Sequence, residues 1–327
     1  MTKVLLLGLG RWGLNHLRNL REMPAELFVA ENDAHRLKQA AQTGVSESHL
    51  TTRHRDFLPL IDAAVVVTPA PTHYPLALEF LEAGKDVFVE KPMTLAAADA
   101  HRLAEFSEAN RRILQTGHIF RFDSAAQWLH EAIRAEKFGV VRMLRGNLSA
   151  FKRPRNDSGM IFAEAIHLVD LFNYLLGQTP KRVQAVAHDF LGRGMEDAAL
   201  LSLEYHTAKS VTWATVEANC FLPGKFREVS VIGSEMSAVC DLGATKDKLK
   251  LFSNRHENDG TEFKAIQGPH QIIETKHEEP LKAELHAFLD SVVTRRSPAA
   301  DGRAGHDAVR VLEAALQSSR TGRVVDV

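Results

Sequence analysis

Glycines at positions 8, 10 and 13, in the sequence Gly-Leu-Gly-Arg-Trp-Gly, directly follow an apolar run near the N-terminus. In this context Gly8 permits a tight turn, Gly10 lets the backbone approach a pyrophosphate, and Gly13 lets the following helix pack closely. Glu31 ends the next apolar run, where a carboxylate can bind a ribose 2′-hydroxyl and would repel a 2′-phosphate. The pattern predicts a dinucleotide site that prefers NAD to NADP.

Two further polar segments each follow a later apolar run. One runs from Thr68 to His73, and the other is the tripeptide Glu90-Lys91-Pro92. Ligands of open parallel sheets bind at the carboxyl ends of the strands, so both segments are expected beside the dinucleotide. An isolated lysine is more often a solvated surface charge, but a position at a strand end favours a functional role for Lys91. The Lys91–Pro92 bond is also a candidate for the cis isomer.

His167 lies in an apolar helical segment and is flanked by Glu164 and Asp170. Positions three residues before and after a helical residue lie on its face, so the three side chains are expected to form a polar cluster. One interpretation is a general base oriented by a carboxylate. The alternative is a core histidine bonded to a helix neighbour, and the residues alone leave both open.

The elements that position these residues follow an alternating pattern. From Lys3 to about Phe120, short apolar runs alternate with helical segments, which predicts a doubly wound parallel sheet of the Rossmann type. Thr94 is the expected N-cap of one helix, and Gly84 the expected left-handed end of another. The expected strands are Val4 to Leu7, Leu27 to Ala30, Ala63 to Val67, Val87 to Val89 and Ile113 to Thr116, and the expected helices include Thr72 to Ala83, Thr94 to Ala109 and Ser124 to Ala135.

A second domain is predicted from the change of pattern after residue 120. Alternation around Leu201, Leu203 and Tyr205, and again at Val211, Trp213 and Thr215, is typical of half-exposed antiparallel strands. The expected domains are 1–120 and 121–327. Two closing amphipathic helices, near 281–292 and 308–316, are expected to pack back between them.

Composition excludes several classes of protein. Lys plus Arg is 40 against 41 for Asp plus Glu, so a nucleic-acid partner is not expected. Apolar runs fall short of the ~18 residues that span a bilayer, so no membrane partner is expected either. The two cysteines, Cys220 and Cys240, cannot form a four-ligand sulfur site, so no metal is expected. Both are expected to be reduced thiols in the cytoplasm.

Together these motifs resemble the glucose-fructose oxidoreductase and inositol 2-dehydrogenase family, known as Gfo/Idh/MocA. The resemblance implies an N-terminal Rossmann domain and a C-terminal α/β domain on a large open, mainly antiparallel sheet, through which a homodimer or homotetramer forms. It also implies oxidation or reduction of sugars, inositols or related polyols with NAD(P). The segments that carry it are GLGRWG at 8–13, TPAPTHY at 68–74, EKP at 90–92, GHIFRFD at 117–123, HLVDLFNYLLG at 167–177 and EEPLKAEL at 278–285.

The resemblance also implies roles for individual residues. Lys91 and His167 match the family's lysine and histidine, which bind and deprotonate the reacting hydroxyl, and Arg121 is a further expected substrate contact. Where the family most often has an Asp, this chain has Ala163, and the acid appears one place later as Glu164. Glu164 or Asp170 is expected to stabilise the imidazolium. The expected cofactor contacts are Gly8, Gly10, Arg11, Trp12, Gly13, Glu31, Thr68, Pro69, His73, Glu90 and Lys91.

Several segments are similar to the branch of the family that oxidises nucleotide-linked amino sugars at C3, among them PGKFREVSVIGS at 223–234. A nucleotide sugar is therefore the first expected substrate, and a free sugar or inositol the second. Lys225 and Arg227 are candidate diphosphate ligands, and a solvated strand face explains them equally well. Two other functions remain: an NAD-dependent glycosidase that oxidises C3 transiently, and a non-catalytic dinucleotide-sensing regulator, because a fold alone never proves chemistry.

Overall fold

The computed structural model describes residues 1–327, which divide into two compact units. The first unit consists of Met1–Ile119 and Glu279–Val309, and the second of Phe120–Glu278 and Arg310–Val327. The chain passes from the first unit to the second at residue 120. Residues 279–309, in contrast, group with the first unit and not with the second.

A parallel sheet of six strands organises the first unit. Its central strands are buried apolar runs, as expected for strands covered on both faces. The strands are β1 (Thr2–Leu7), β2 (Ala25–Ala30), β3 (Leu50–Thr51), β4 (Ala63–Val66), β5 (Asp86–Val89) and β6 (Leu114–Thr116). Their order, β3-β2-β1-β4-β5-β6, is that of the Rossmann fold, and the order reverses between β1 and β4. This confirms the predicted doubly wound sheet.

Eight α-helices connect the strands. Gly84 ends one helix with a φ of +74°, as expected. The expected capping role of Thr94 is wrong: the helix that follows it begins at Ala97, and the Thr94 hydroxyl donates to the Ala96 carbonyl at 2.7 Å. The helices are α1 (Gly13–Leu20), α2 (Ala34–Gln42), α3 (His73–Glu82), α4 (Ala97–Ala109), α5 (Ser124–Arg134), α6 (Ile166–Leu176), α7 (Pro280–Thr294) and α8 (Gly302–Thr321).

Packing explains why α7 belongs to the first unit. Its residues Leu281, Leu285 and Phe288 are buried in the same hydrophobic cluster as Val4 and Leu6 of β1. The helical spacing of these apolar residues was visible in the sequence, but the surface that they cover was not. The sequence division into two continuous domains therefore differs from the structure at 279–309.

A nine-stranded mixed sheet organises the second unit. Its strands are β7 (Val141–Ala150), β8 (Arg182–His188), β9 (Ala198–His206), β10 (Val211–Asn219), β11 (Lys225–Gly233), β12 (Ser237–Asp241), β13 (Leu249–Phe252), β16 (His270–Ile273) and β17 (Val325–Asp326), while β14 (Arg255–Asn258) and β15 (Phe263–Ile266) form a separate ribbon. The order is β16-β13-β12-β11-β7-β10-β9-β8-β17, and only β10 and β7 pair in parallel. The predicted large, mainly antiparallel sheet is confirmed.

Strand β10 presents two large apolar residues outward. Val211 is 56% exposed and Trp213 48% exposed, whereas Ala214 and Val216 are buried. On the inner face, the backbone of β7 at Gly146 lies so close to α6 that a Cβ there would be 2.9 Å from Leu168. Small inner residues thus let the helix approach the sheet, while the outer face keeps exposed apolar side chains.

No helix of the chain is long and apolar enough to cross a bilayer.

Candidate active site

The turn between β1 and α1 is shaped by two glycines that admit no side chain. Gly8 has a φ of +91°, and a Cβ there would lie 2.6 Å from the Val67 carbonyl oxygen. A Cβ on Gly13 would lie 2.1 Å from the Gly8 carbonyl oxygen. At Gly10 a Cβ would meet no atom within 4 Å, so this position borders open space at the N-terminus of α1. Helix N-termini bind anions, and this turn therefore fits a dinucleotide pyrophosphate.

Glu31, directly after β2, contacts the backbone of the glycine turn. Its carboxylate accepts the backbone N–H of Leu9 at 2.6 Å and that of Asp33 at 3.0 Å, and the residue is only 7% exposed. Arg36 lies 3.8 Å from the same carboxylate. Glu31 can still accept a ribose hydroxyl because carboxylate oxygens have further lone pairs. Arg36 is a cation near this position that the sequence analysis did not single out.

The segment after β4 is closed by side-chain hydrogen bonds. The Thr72 hydroxyl oxygen lies within hydrogen-bond distance of two atoms, Thr68 Oγ1 at 2.6 Å and the Pro69 carbonyl oxygen at 2.7 Å. His73 is 1% exposed, and its two ring nitrogens lie 2.7 and 2.8 Å from the carbonyl oxygens of Pro92 and Thr68. Both ring nitrogens therefore lie within hydrogen-bond distance of backbone carbonyl oxygens.

The Glu90-Lys91-Pro92 segment leaves β5 with its first side chain buried. Glu90 accepts hydrogen bonds from the Trp12 indole and from the backbone N–H of Lys91 at 3.0 Å, and lies 2.8 Å from His16 Nε2. The Lys91–Pro92 bond is cis, as the sequence allowed. Since Trp12 and His16 belong to the glycine turn and α1, Glu90 ties the backbone of Lys91 to the predicted pyrophosphate site.

Glu90 is ionised although it is buried. Burial raises the pKa of its carboxyl, but the hydrogen bond and charge of His16, the charge of Lys91 and the Trp12 bond outweigh it and leave the pKa below its ordinary value. A depressed pKa stabilises the fold above the pKa of an unfolded glutamate, and this contribution is lost as the pH falls through the folded pKa. The carboxylate is thus a stabilising anion at neutral pH.

Replacing His16 with leucine is expected to lower the free energy of unfolding by about 3 to 5 kcal/mol, because it leaves the buried Glu90 charge without its principal partner. Urea denaturation at pH 7 measures this loss. Arg18 on the same helix pairs with Glu279, but both side chains are largely exposed. Arg18→Ala should therefore cost less than about 1 kcal/mol, and equal losses in the two variants would contradict the assignment.

In the second unit, His167 lies in the first turn of α6, directly after a π-helical turn at Ile161–Ala165. Glu196 accepts the backbone N–H of Ile161 at 3.0 Å and so satisfies the start of this turn. The His167 ring lies 5.2 Å from the Phe120 ring, and the residue is partly exposed. π-Helical turns occur frequently at functional sites. This turn also departs from the regular helix on which the predicted grouping of Glu164 with His167 was based.

The two acids near His167 each have a basic partner. The Glu164 carboxylate lies 2.5 Å from Lys152 Nζ. Asp170 is 1% exposed and binds Arg121 in a bidentate manner, with distances of 2.7 and 3.0 Å. Arg121, an expected substrate contact, is thus held by α6. The roles predicted for His167, Glu164, Asp170 and Arg121 stay predictions.

Sequence reasoning missed three residues of these sites: His16, Arg36 and Lys152. His16 could have been suspected, since it follows the last glycine of the motif by three residues on α1. Arg36 and Lys152 carry no such signal, because exposed basic residues are common on any surface. Both are recognised only through the acid that each contacts.

The Rossmann sheet, the glycine turn and the anchored Lys91 define the class of protein: a dinucleotide-dependent α/β enzyme. Models of the oxidoreductase family match residues 2–118 as its NAD-binding Rossmann fold and residues 130–327 as its C-terminal α/β domain. The chain belongs to the Gfo/Idh/MocA family of oxidoreductases, and it is an NAD(P)-dependent dehydrogenase.

Named relatives show the range of the family. UDP-N-acetylglucosamine 3-dehydrogenase of Acidithiobacillus ferrooxidans is 30% identical over 79% of this chain and 77% of its own length. The myo-inositol 2-dehydrogenase of Thermotoga maritima is 26% identical over 98% of this chain and 97% of its own. Among solved structures, a levoglucosan dehydrogenase in complex with NADH has a TM-score of 0.85 at 19% identity, covering 100% of this chain and 99% of that one. That structure supports the fold alone.

Proposed function

We propose that this protein oxidises a secondary hydroxyl of a sugar, a nucleotide sugar or a related polyol, with NAD as the hydride acceptor. The observation that carries the proposal is the placement of Lys91 two residues after the end of β5, with its backbone fixed through the buried Glu90 to the glycine turn. A surface lysine without function has no need of such an anchor. The resemblance of His167 to the family's histidine supplies the second group.

Lys91 and His167 divide the chemistry at the hydroxyl group. The Lys91 ammonium group donates a hydrogen bond to the hydroxyl oxygen and favours the negative charge that develops there. His167 accepts the hydroxyl proton at an imidazole nitrogen, so that the carbon can release hydride. Nicotinamide, when bound, supplies the electrophilic ring carbon that takes the hydride. The buried Arg121–Asp170 pair supports this step indirectly by fixing α6.

The cofactor is held by the glycine turn, with the pyrophosphate at the open side of Gly10 and a ribose hydroxyl on Glu31. NAD is expected to bind more tightly than NADP, because the Glu31 carboxylate repels a 2′-phosphate.

Glu31→Gln should narrow the preference for NAD over NADP, and Arg36→Ala should widen this preference by removing the nearby cation. Equilibrium titration of both cofactors measures these changes. Equal or tighter binding of NADP to the unaltered protein would refute the role of Glu31.

A nucleotide sugar is the first proposed substrate, and a free sugar or an inositol the second. The relative from Acidithiobacillus supports the first, and the inositol dehydrogenase supports the second. Lys152 joins Lys225 and Arg227 as a basic side chain that could meet a diphosphate: Ala150, which precedes Lys152 by two residues, pairs with Lys225. This placement favours the charged substrate.

A panel of UDP-sugars, aldoses and inositols, followed both by NADH absorbance and by product analysis, tests the proposal. Formation of NADH together with a ketone product is the expected result. Cleavage of a glycoside without net NADH would instead assign a glycosidase. Binding of NAD with no turnover of any compound would favour a dinucleotide-sensing regulator.

We further propose that the protein is a cytoplasmic homodimer or homotetramer formed through the nine-stranded sheet. Support comes from its outward face, where Val186 and Leu200 pair across β8 and β9 and are 55% and 58% exposed. Both cysteines are buried free thiols, which fits a reducing compartment. Trp213→Glu should lower the oligomeric state measured by sedimentation, whereas Leu60→Glu, at an exposed leucine of the other unit, should not. An unaltered protein that sediments as a monomer would refute the interface.

A further inference from the structure

Trp12 places a large aromatic ring at the glycine turn of the predicted cofactor site. The residue is 42% exposed, yet its indole N–H donates to the carboxylate of Glu90, which is only 7% exposed. The ring of His16 lies beside the indole at a centroid distance of 6.3 Å, with the two ring planes at 74°, so the rings are not stacked. One edge of the indole is therefore fixed inside the protein, while much of the residue stays accessible.

The hydrogen bond to Glu90 places the indole beside one particular half of the dinucleotide site. Dinucleotides lie across the point at which the strand order reverses, here between β1 and β4. Glu31, the proposed ribose ligand, follows β2 on one side of β1, whereas Glu90 follows β5 on the other side. A cofactor whose adenosine half lies on Glu31 therefore has its nicotinamide half beside β4 and β5, where the indole is held.

We propose that the accessible face of Trp12 receives the nicotinamide ring and distinguishes the two redox states of the cofactor. The ring carries a positive charge in NAD and none in NADH, and indole attracts cations more strongly than the other aromatic side chains do. The indole thus favours binding of NAD over NADH, which suits an enzyme that accepts hydride and must then release NADH. The inference deepens the proposed function and rests on it in taking NAD as the cofactor.

The charges next to the indole give this ring a specific use. Lys91, whose ammonium group is proposed to bind the substrate hydroxyl, follows Glu90 directly, and a second positive charge near that ammonium group is unfavourable. The indole face offsets part of this repulsion. Because the ionised Glu90 accepts the indole N–H, the hydrogen bond is charge-assisted and polarises its donor, which makes the face of the ring more negative.

Equilibrium titrations with NAD and with NADH, in the absence of any substrate, measure the ratio of the two affinities. Trp12→Leu and Trp12→Phe lose the same N–H donor to Glu90, so the comparison between them isolates the aromatic face. We expect the affinity for NAD relative to NADH to fall by about 2- to 30-fold in Trp12→Leu, the range of a cation–π interaction, and by less in Trp12→Phe.

Trp128→Leu is the matched control, because Trp128 belongs to the other unit and its ring already has the Lys137 ammonium 5.5 Å from the centroid. This variant should keep the native ratio of affinities. An unchanged ratio in Trp12→Leu overturns the inference even if both affinities fall, since equal losses mean that the side chain only shapes the site. If that variant does not fold, an unchanged ratio in Trp12→Phe overturns it.

Absorption spectroscopy tests the contact itself. An indole stacked on a nicotinamide cation gives a weak charge-transfer band at longer wavelength than either ring alone. Addition of NAD should produce this band in the native protein and in Trp128→Leu, but in neither Trp12 variant. A band that persists in Trp12→Phe, or no band in the native protein saturated with NAD, overturns the inference.

These measurements separate the inference from the proposed function, because neither uses a substrate. If no compound in the panel reacts, the proposed function fails, while the affinity ratio and the absorption band still decide the role of Trp12. If a compound reacts with formation of NADH and the ratio is the same in Trp12→Leu as in the native protein, only the inference fails.

Discussion

Lys91→Ala and His167→Ala are each expected to lower turnover by ~10²- to 10⁴-fold, the usual contribution of a general acid or base. NADH affinity should stay within a few-fold, because the glycine turn and the Glu31 carboxylate are untouched by either change. Initial-rate assays on the panel substrate measure turnover, and fluorescence titration with NADH measures cofactor affinity. Lys181→Ala and His277→Ala, at exposed positions outside the candidate site, serve as matched controls.

Near-native turnover in either variant would remove that residue from the mechanism. A loss of NADH affinity as large as the loss of turnover would point instead to a role in cofactor binding. The outcome for Lys91 also bears on Glu90. If Lys91 is dispensable, the buried carboxylate and its three partners stabilise the fold without serving catalysis.

The acids beside His167 give a further distinction within the same assay. Glu164→Gln removes the ion pair with Lys152, which is partly exposed, so its cost in stability should be small. Asp170→Asn weakens the buried pair with Arg121 and should cost more. A drop in turnover with native stability in Glu164→Gln would show that this acid supports His167 despite the absent Asp at position 163.

The local pattern of the sequence predicted the Rossmann half well. Short buried strands, the glycine turn and the left-handed Gly84 each depend on neighbouring residues, so periodicity and turn chemistry are sufficient to find them. The cis bond before Pro92 was likewise suggested by residue type alone. These features are local in the chain, and long-range contacts did not alter them.

Features that depend on distant contacts were not predictable. The apolar faces of α7 were visible, but their partner, β1, lies almost a whole chain length away. In β10 the period of two was right, but it did not tell which face is buried: Trp213 is 48% exposed, whereas Ala214 and Val216 are buried. The π-helical turn before His167 could not be read from side-chain types, and it changed the setting of Glu164.

Gly10→Ala is expected to weaken NADH binding by about tenfold or more while leaving the stability of the free protein nearly unchanged. A Cβ at this position meets no protein atom within 4 Å, so the fold accommodates it. The same methyl group would occupy the space through which the backbone approaches the pyrophosphate. Urea denaturation without cofactor and titration with NADH measure the two effects independently.

Gly13→Ala should give the opposite result. Its Cβ would lie 2.1 Å from the carbonyl oxygen of Gly8, and backbone cannot yield as a flexible side chain can. The turn must therefore distort or the start of α1 must move, so stability falls before any cofactor is added, and binding falls as a consequence. If Gly10→Ala instead destabilised the free protein as much as Gly13→Ala, or left NADH binding intact, the open side of Gly10 would not be the pyrophosphate site, and the cofactor would have to approach the sheet by another path.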